Sequence, residues 1–312
     1  MGVPSRFGQI QADAFLGSAH DNSPFGKIWY VDGTNGSDGN AGDAPDQAYA
    51  TVAAAIASAV GTRGDSVVIY PGTYTITSAL VPKAGMTFRA AIVNPHYPSV
   101  SIRGNIANLV TVDVDYTRWI GFEFRATGST ARDLIALAGT TAVNGVTFED
   151  CVFNGDDKTG DTSNGVCGIQ ATDATTAPTG LVVRRCLFRD LGKTAIDVGV
   201  LGIPYAKIED NTFALDTTAG IGISLRDTGA VGTGKAFVIR NNEFIGPSAT
   251  TSTTVGIVIG GTLNTTAIGI IRNNYFSYCA TSPITQDKTP DAIVENYLAA
   301  NNGGTLADGS ST

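Results

Sequence analysis

The sequence predicts an all-β chain wound as a parallel solenoid and closed at its N-terminal end by a short helix. Three observations lead there. First, one six-residue segment recurs, beginning at Phe148, Val183, Ile208, Ile239, Ile271 and Ile293. Its spacing of about 22–35 residues is that of one supersecondary unit stacking on the next. Second, the segment has fixed columns. Its first and last positions are apolar, and its fourth reads Cys151, Cys186, Asn211, Asn242, Asn274, Asn296. A small polar group at one inward site per coil is expected to bond to turn backbone and to its own copy in the next coil. The second position reads Glu149, Arg184, Glu209, Arg240, Arg272, mostly alternating in sign. Strands about 4.8 Å apart would set these side chains face to face, each opposite pair contributing a few tenths of a kcal/mol. Third, no apolar pattern of period 3.6 runs through the repeats, so they are not helices.

The elements follow in order. Residues 1–26 have no periodicity and mix Phe7, Ile10, Phe15 and Leu16 with Gly, Asp and Asn. Both a disordered tail and an arm for docking to a partner fit; the arm is the favoured expectation. Ile28 to Asp32 reads as a strand and 33–42 as a turn-rich loop. Thr51 is placed to cap a helix over 52–60, with Val52, Ile56 and Val60 on one face. Residues 64–74 read as the first rung, and 85–90 and 99–104 as continuations. An earlier, degenerate repeat copy runs from Trp119 to Phe124. Between the copies lies a second strand family: Gly168 to Ala171, Ala195 to Val198, Gly222 to Leu225 and Gly256 to Ile259. Residues 27–300 form the expected solenoid and 301–312 a polar tail.

This opening block resembles the pectate-lyase-like superfamily. The matching residues are Tyr30-Val31-Asp32-Gly33, Asn35-Gly36-Ser37-Asp38, Thr51-Val52-Ala53-Ala54-Ala55-Ile56, and Gly64-Asp65 followed by Ile69-Tyr70-Pro71-Gly72-Thr73-Tyr74. The resemblance implies a single-stranded right-handed parallel β-helix. It says little of function, because that superfamily includes lyases, glycoside hydrolases, phage tailspikes and adhesins.

Composition narrows the partners. The chain has 312 residues, 43% hydrophobic and 15% charged, with 38 Gly. A net charge of −8 argues against nucleic acid and against an anionic membrane surface. No apolar run of about 18 residues is present to span a bilayer. The first nine residues lack the basic and apolar regions of a secretory signal, the expectation being a protein made in the host cytoplasm. Four cysteines do not make a disulfide framework in a chain this long. Cys151 and Cys186 are expected as buried thiols.

Candidate chemistry is sparse. Asp32, Asn35, Asp38, Asn40, Asp43 and Asp46 superficially resemble a calcium loop. They lack the EF-hand spacing, and Asx-turns are the favoured reading, with Asp32, Asp38 and Asp43 kept as the weak metal candidates. No cofactor is expected. Enzymes on this scaffold work from outward side chains of one sheet. In the second strand family those are Gln170, Asp197, Ser224 and Val258, with Thr172, Gly199, Arg226 and Gly260 two residues on. Asp197 and Arg226 are the weak catalytic candidates, read first as a surface ion pair. Glycoside hydrolysis needs two carboxylates about 5–9.5 Å apart. Asp156, Asp157 and Asp161 share a loop, yet the companion motifs of polygalacturonase-like hydrolases do not accompany them.

The leading expectation is a non-enzymatic virion protein of a tailed bacteriophage: a spike or capsid decoration, homotrimeric, docked to other virion proteins through residues 1–26 and open to contact with a host surface glycan. The alternative is a tailspike-type polysaccharide lyase or glycoside hydrolase whose site forms between subunits.

Overall fold

The computed structural model describes residues 26–127, 132–138, 143–155, 166–171, 178–198, 203–215, 220–226, 235–247, 254–260, 268–279, 283–286, 292–294 and 296–298. Among them, strands form three parallel sheets of ten, nine and seven members. Each coil visits the sheets in turn. One coil reads Lys207–Glu209 in the first sheet, Thr212–Ala214 in the second and Ile221–Arg226 in the third. Successive coils pair strand upon strand, so the chain is the predicted right-handed parallel β-helix.

Register places the repeat columns one above another. Trp119, Phe148, Val183, Ile208, Ile239 and Ile271 stand in one line of the first sheet. Phe124, Phe153, Phe188, Phe213, Phe244 and Phe276 stand in one line of the second. From Phe153 to Phe276 the rings stack with centroids 4.5 to 4.9 Å apart, the rung spacing itself. This stack is the solenoid's axis of packing, and the rings are fully buried.

The fourth column forms the expected ladder. Asn211, Asn242 and Asn274 each donate through Nδ2 to Oδ1 of the next asparagine, at 2.9, 3.0 and 3.0 Å. The same amides reach the backbone carbonyls of Val183, Ile208 and Ile239. Cys186 and Cys151 continue the column, their thiols donating to the carbonyls of Phe148 and Trp119. The cysteines keep the donor of the asparagine, and the Cys186 sulfur also accepts from the Cys151 backbone N–H. Both thiols are free and buried, as expected.

The corner between the first two sheets turns on one left-handed residue per coil: Gly121, Asp150, Arg185, Asp210, Asn241 and Asn273, with φ from +53° to +81°. After glycine, Asp and Asn tolerate that conformation best. Arg185 is the odd member, held by a bidentate pair to Asp150 at 2.8 and 3.1 Å.

The charged column pairs as the alternation predicts, with one difference. Arg240 meets Glu209 at 3.1 Å, but Glu149 gathers Arg118, Arg184 and Arg185 and is only 4% exposed. It is a buried hub and not a surface group.

Two further expectations change. The helix covers Val52–Ser58, shorter than 52–60; Thr51 does cap it, accepting from the Ala54 amide. Val60 lies beyond the helix, 49% exposed, and Ala55 takes its place on the buried face. The reason is Asp65, which draws in the Val60 amide at 2.9 Å and ends the helix. Stacking also starts earlier than residue 64, since Ile28–Val31 already pairs with Ser66–Ile69.

Candidate functional site

The outward face of the third sheet carries the candidate residues Gln170 and Asp197. In this sheet the strands bend at a small residue: Gly168, Ala195, Gly222 and Gly256. A Cβ added at Gly222 would lie 2.6 Å from the Phe244 ring, and one at Gly256 2.4 Å from Phe276. The phenylalanine stack therefore requires small residues here. The next residue along, Ile169, Ile196, Ile223 or Ile257, enters the core, which turns Gln170, Asp197, Ser224 and Val258 outward in one registered line.

One cluster forms on this face. With its amide oriented to satisfy both groups, Gln170 Nε2 sits 2.5 and 2.6 Å from the two carboxyl oxygens of Asp133, on strand Arg132–Leu137 of the preceding coil. The Cys167 thiol also bonds Asp133. Burial raises the Asp133 pKa, Asp197 raises it further, and Cys167 and Lys193 oppose this. Cys167 is itself pushed up to about 12, first by burial and then by Asp133. It is a thiol donor at working pH, not a nucleophile. A carboxyl biased toward its protonated form beside a second carboxylate is the kind of pair that does acid–base chemistry.

Gln170 and Asp197 are neighbours, as expected. Arg226 ends its strand opposite Gly260, two residues beyond Ser224, which faces Asp197; its side chain, and with it the ion-pair expectation, lies outside the described residues. So do Thr172, Gly199, Asp156, Asp157 and Asp161. Ser224 and Val258 are 2% and 8% exposed, so the line is covered at these two positions; Thr285, opposite Val258, is exposed again. Asp133 and Cys167 escaped the sequence reading because loops of unequal length hide the third sheet's register. Aligning Asp133-Leu134-Ile135 with Cys167-Gly168-Ile169 was the available signal.

The acidic N-terminal loop is held by Asx bonding. Asp32 accepts from the amides of Thr34 and Asn35, and Asp38 from those of Ala50 and Thr51. Asp43 faces Lys27 at 3.7 Å. The three carboxylates serve three separate partners, and among the described residues no group of three or more His, Cys, Asp or Glu converges on a metal position. A groove of about 420 Å³ lies between this cap and the first coil, lined by Thr73, Thr75, Thr77 and Ser78. No described helix is long and apolar enough to cross a membrane.

The chain matches no family profile and no curated protein sequence. Its likeness to solved structures decides the fold. The chain has the fold of the pectin-acting β-helix enzymes. A pectin methylesterase from Aspergillus niger shares 14% identity over 91% of this chain and 87% of its own, with a TM-score of 0.56. A PL6 alginate lyase gives 0.55 at 15% identity over 88% of this chain, which spans 40% of that lyase. A pectin methylesterase solved with a hexasaccharide gives 0.51 at 11% identity, over 88% of this chain and 93% of its own. At such identities the β-helix is shared and the sites need not be.

Proposed function

We propose that the chain is a non-enzymatic structural protein of a tailed-bacteriophage virion, a spike or capsid decoration that contacts host surface glycans without cleaving them. The observation that carries the non-enzymatic part is that the outward line of the third sheet is covered midway along it. Ser224 and Val258 are buried there, and Asp133 is already engaged by Gln170 and Cys167. A polysaccharide laid along that face needs those positions open. Homotrimer assembly and docking through residues 1–26 belong to the same reading.

Its test has two parts. The purified chain incubated with capsular and O-antigen polysaccharides should release neither unsaturated nor reducing ends. It should also sediment as a trimer of the 32.1 kDa chain and be found in purified virions. Glycan breakdown, or a chain missing from virions, sinks the proposal.

One observation favours the enzymatic alternative: the Asp133 carboxyl, raised by burial, with Asp197 near it. On that reading Asp133→Asn, Asp197→Ala and Arg226→Ala would each abolish a measured polysaccharide-cleaving activity.

A further inference from the structure

We propose that the second sheet carries, at the C-terminal end of the solenoid, a binding ledge for a neutral, hydroxyl-rich glycan formed by Tyr275, Tyr297 and Glu243. This rests on the glycan-contacting reading above and adds the surface and the ligand class.

Thr212, Glu243, Tyr275 and Tyr297 stand in one outward line. Two residues along, the neighbouring outward line holds Ala214, Ile245 and Ser277, all less exposed than the tyrosines. The two tyrosines are 42% and 56% exposed beside that line. Registered phenylalanines on the inside of this same sheet stack ring on ring. The two tyrosines, one rung apart, make no such contact with each other or with any other described ring. The exposed Glu243 carboxylate has no hydrogen-bonding or charged partner among the described residues.

These features select the occupant. Aromatic rings with a polar tip suit ligands that are apolar on one face and hydrogen-bonding at the edge, as pyranose rings are. Side chains repeating at about 4.8 Å suit a polymer of rings. A second protein surface would have to bury the unpaired Glu243, which is unfavourable in a dry interface. A polyuronate would meet both Glu243 and a net charge of −8. Sugar hydroxyls instead donate to that carboxylate. The ligand class is therefore neutral, unlike the pectin and alginate named for the fold's solved relatives.

Calorimetric titration of the full chain with cellohexaose and chitohexaose, against oligogalacturonate of equal length, tests this. A neutral probe should bind, and Tyr275→Ala and Tyr297→Ala should each weaken it about tenfold, as expected for loss of one stacking contact, with unchanged melting temperature. Glu243→Gln should raise the affinity for oligogalacturonate. Neutral binding that survives both tyrosine changes but is lost in Gln170→Ala overturns the ledge and keeps the glycan reading. Preference for oligogalacturonate overturns the ligand class. Failure of every probe, host polysaccharide included, removes both the ledge and the glycan reading.

Discussion

Asp65 shows how much one side chain can hold. It is fully buried and accepts from the Arg63 guanidinium at 2.6 and 2.7 Å, from the Trp29 indole at 3.0 Å, and from the amides of Lys27 and Val60. Burial alone would raise its pKa; these donors outweigh that and bring it from 3.8 down to about 2. A depressed folded-state pKa means the contribution is complete above the unfolded value. It is then lost as pH falls from about 4 to about 2, amounting to about 2 kcal/mol. Asp65→Asn should cost about 3 kcal/mol in urea unfolding at neutral pH and flatten the acid limb between those values. The asparagine column makes a second prediction at this scale. Asn242→Ala strands the Asn211 and Asn274 amide groups and the Ile208 carbonyl, and should cost about 3 kcal/mol. Asn242→Cys should cost less, because Cys151 and Cys186 already make the carbonyl contact from this column. Equal losses by chemical denaturation would contradict the assigned donor role.

Among the elements, the bend of the third sheet and the helix cap are the most exacting. Gly256→Val would drive a branched side chain into Phe276 and should lower stability by about 3 kcal/mol, measured by thermal unfolding. Thr51→Ala removes the single side-chain cap of the helix and should cost about 1 kcal/mol. The contrast follows from what each residue touches. Gly256 abuts a stack that five successive coils share, whereas Thr51 serves one turn, with Asp38 still holding the Ala50 amide. The sequence pattern gave the helix its start correctly and its end wrongly. A cap is a local signal, while the stop comes from Asp65, several residues on.

At the scale of the whole molecule, each coil contacts mainly the coils before and after it, so stability is a chain of neighbouring interfaces. The aromatic stack runs from Phe153 to Phe276, and the outermost strands lack a neighbour on one side. Hydrogen exchange should be slowest at Phe188, Phe213 and Phe244 and fastest in the edge strands Ala292–Val294 and Tyr297–Leu298. Uniform protection from end to end would contradict this one-dimensional account. Four buried free cysteines lead to a companion expectation: no thiol is alkylated in the native solenoid and all four react once it unfolds.

By itself the sequence determined the solenoid, its asparagine column and the Thr51 cap, because identical residues recurring once per coil must meet their own copies. Only the tertiary structure decided that Asp133 joins Gln170 and Cys167, that Glu149 lies buried among three arginines, and that Tyr275 and Tyr297 are part-exposed side by side. Those arrangements depend on register across loops of unequal length and on which outward positions are covered, and neither quantity is written in a local pattern. The repeat fixes what stacks along the axis; packing between faces fixes what remains free to meet a ligand.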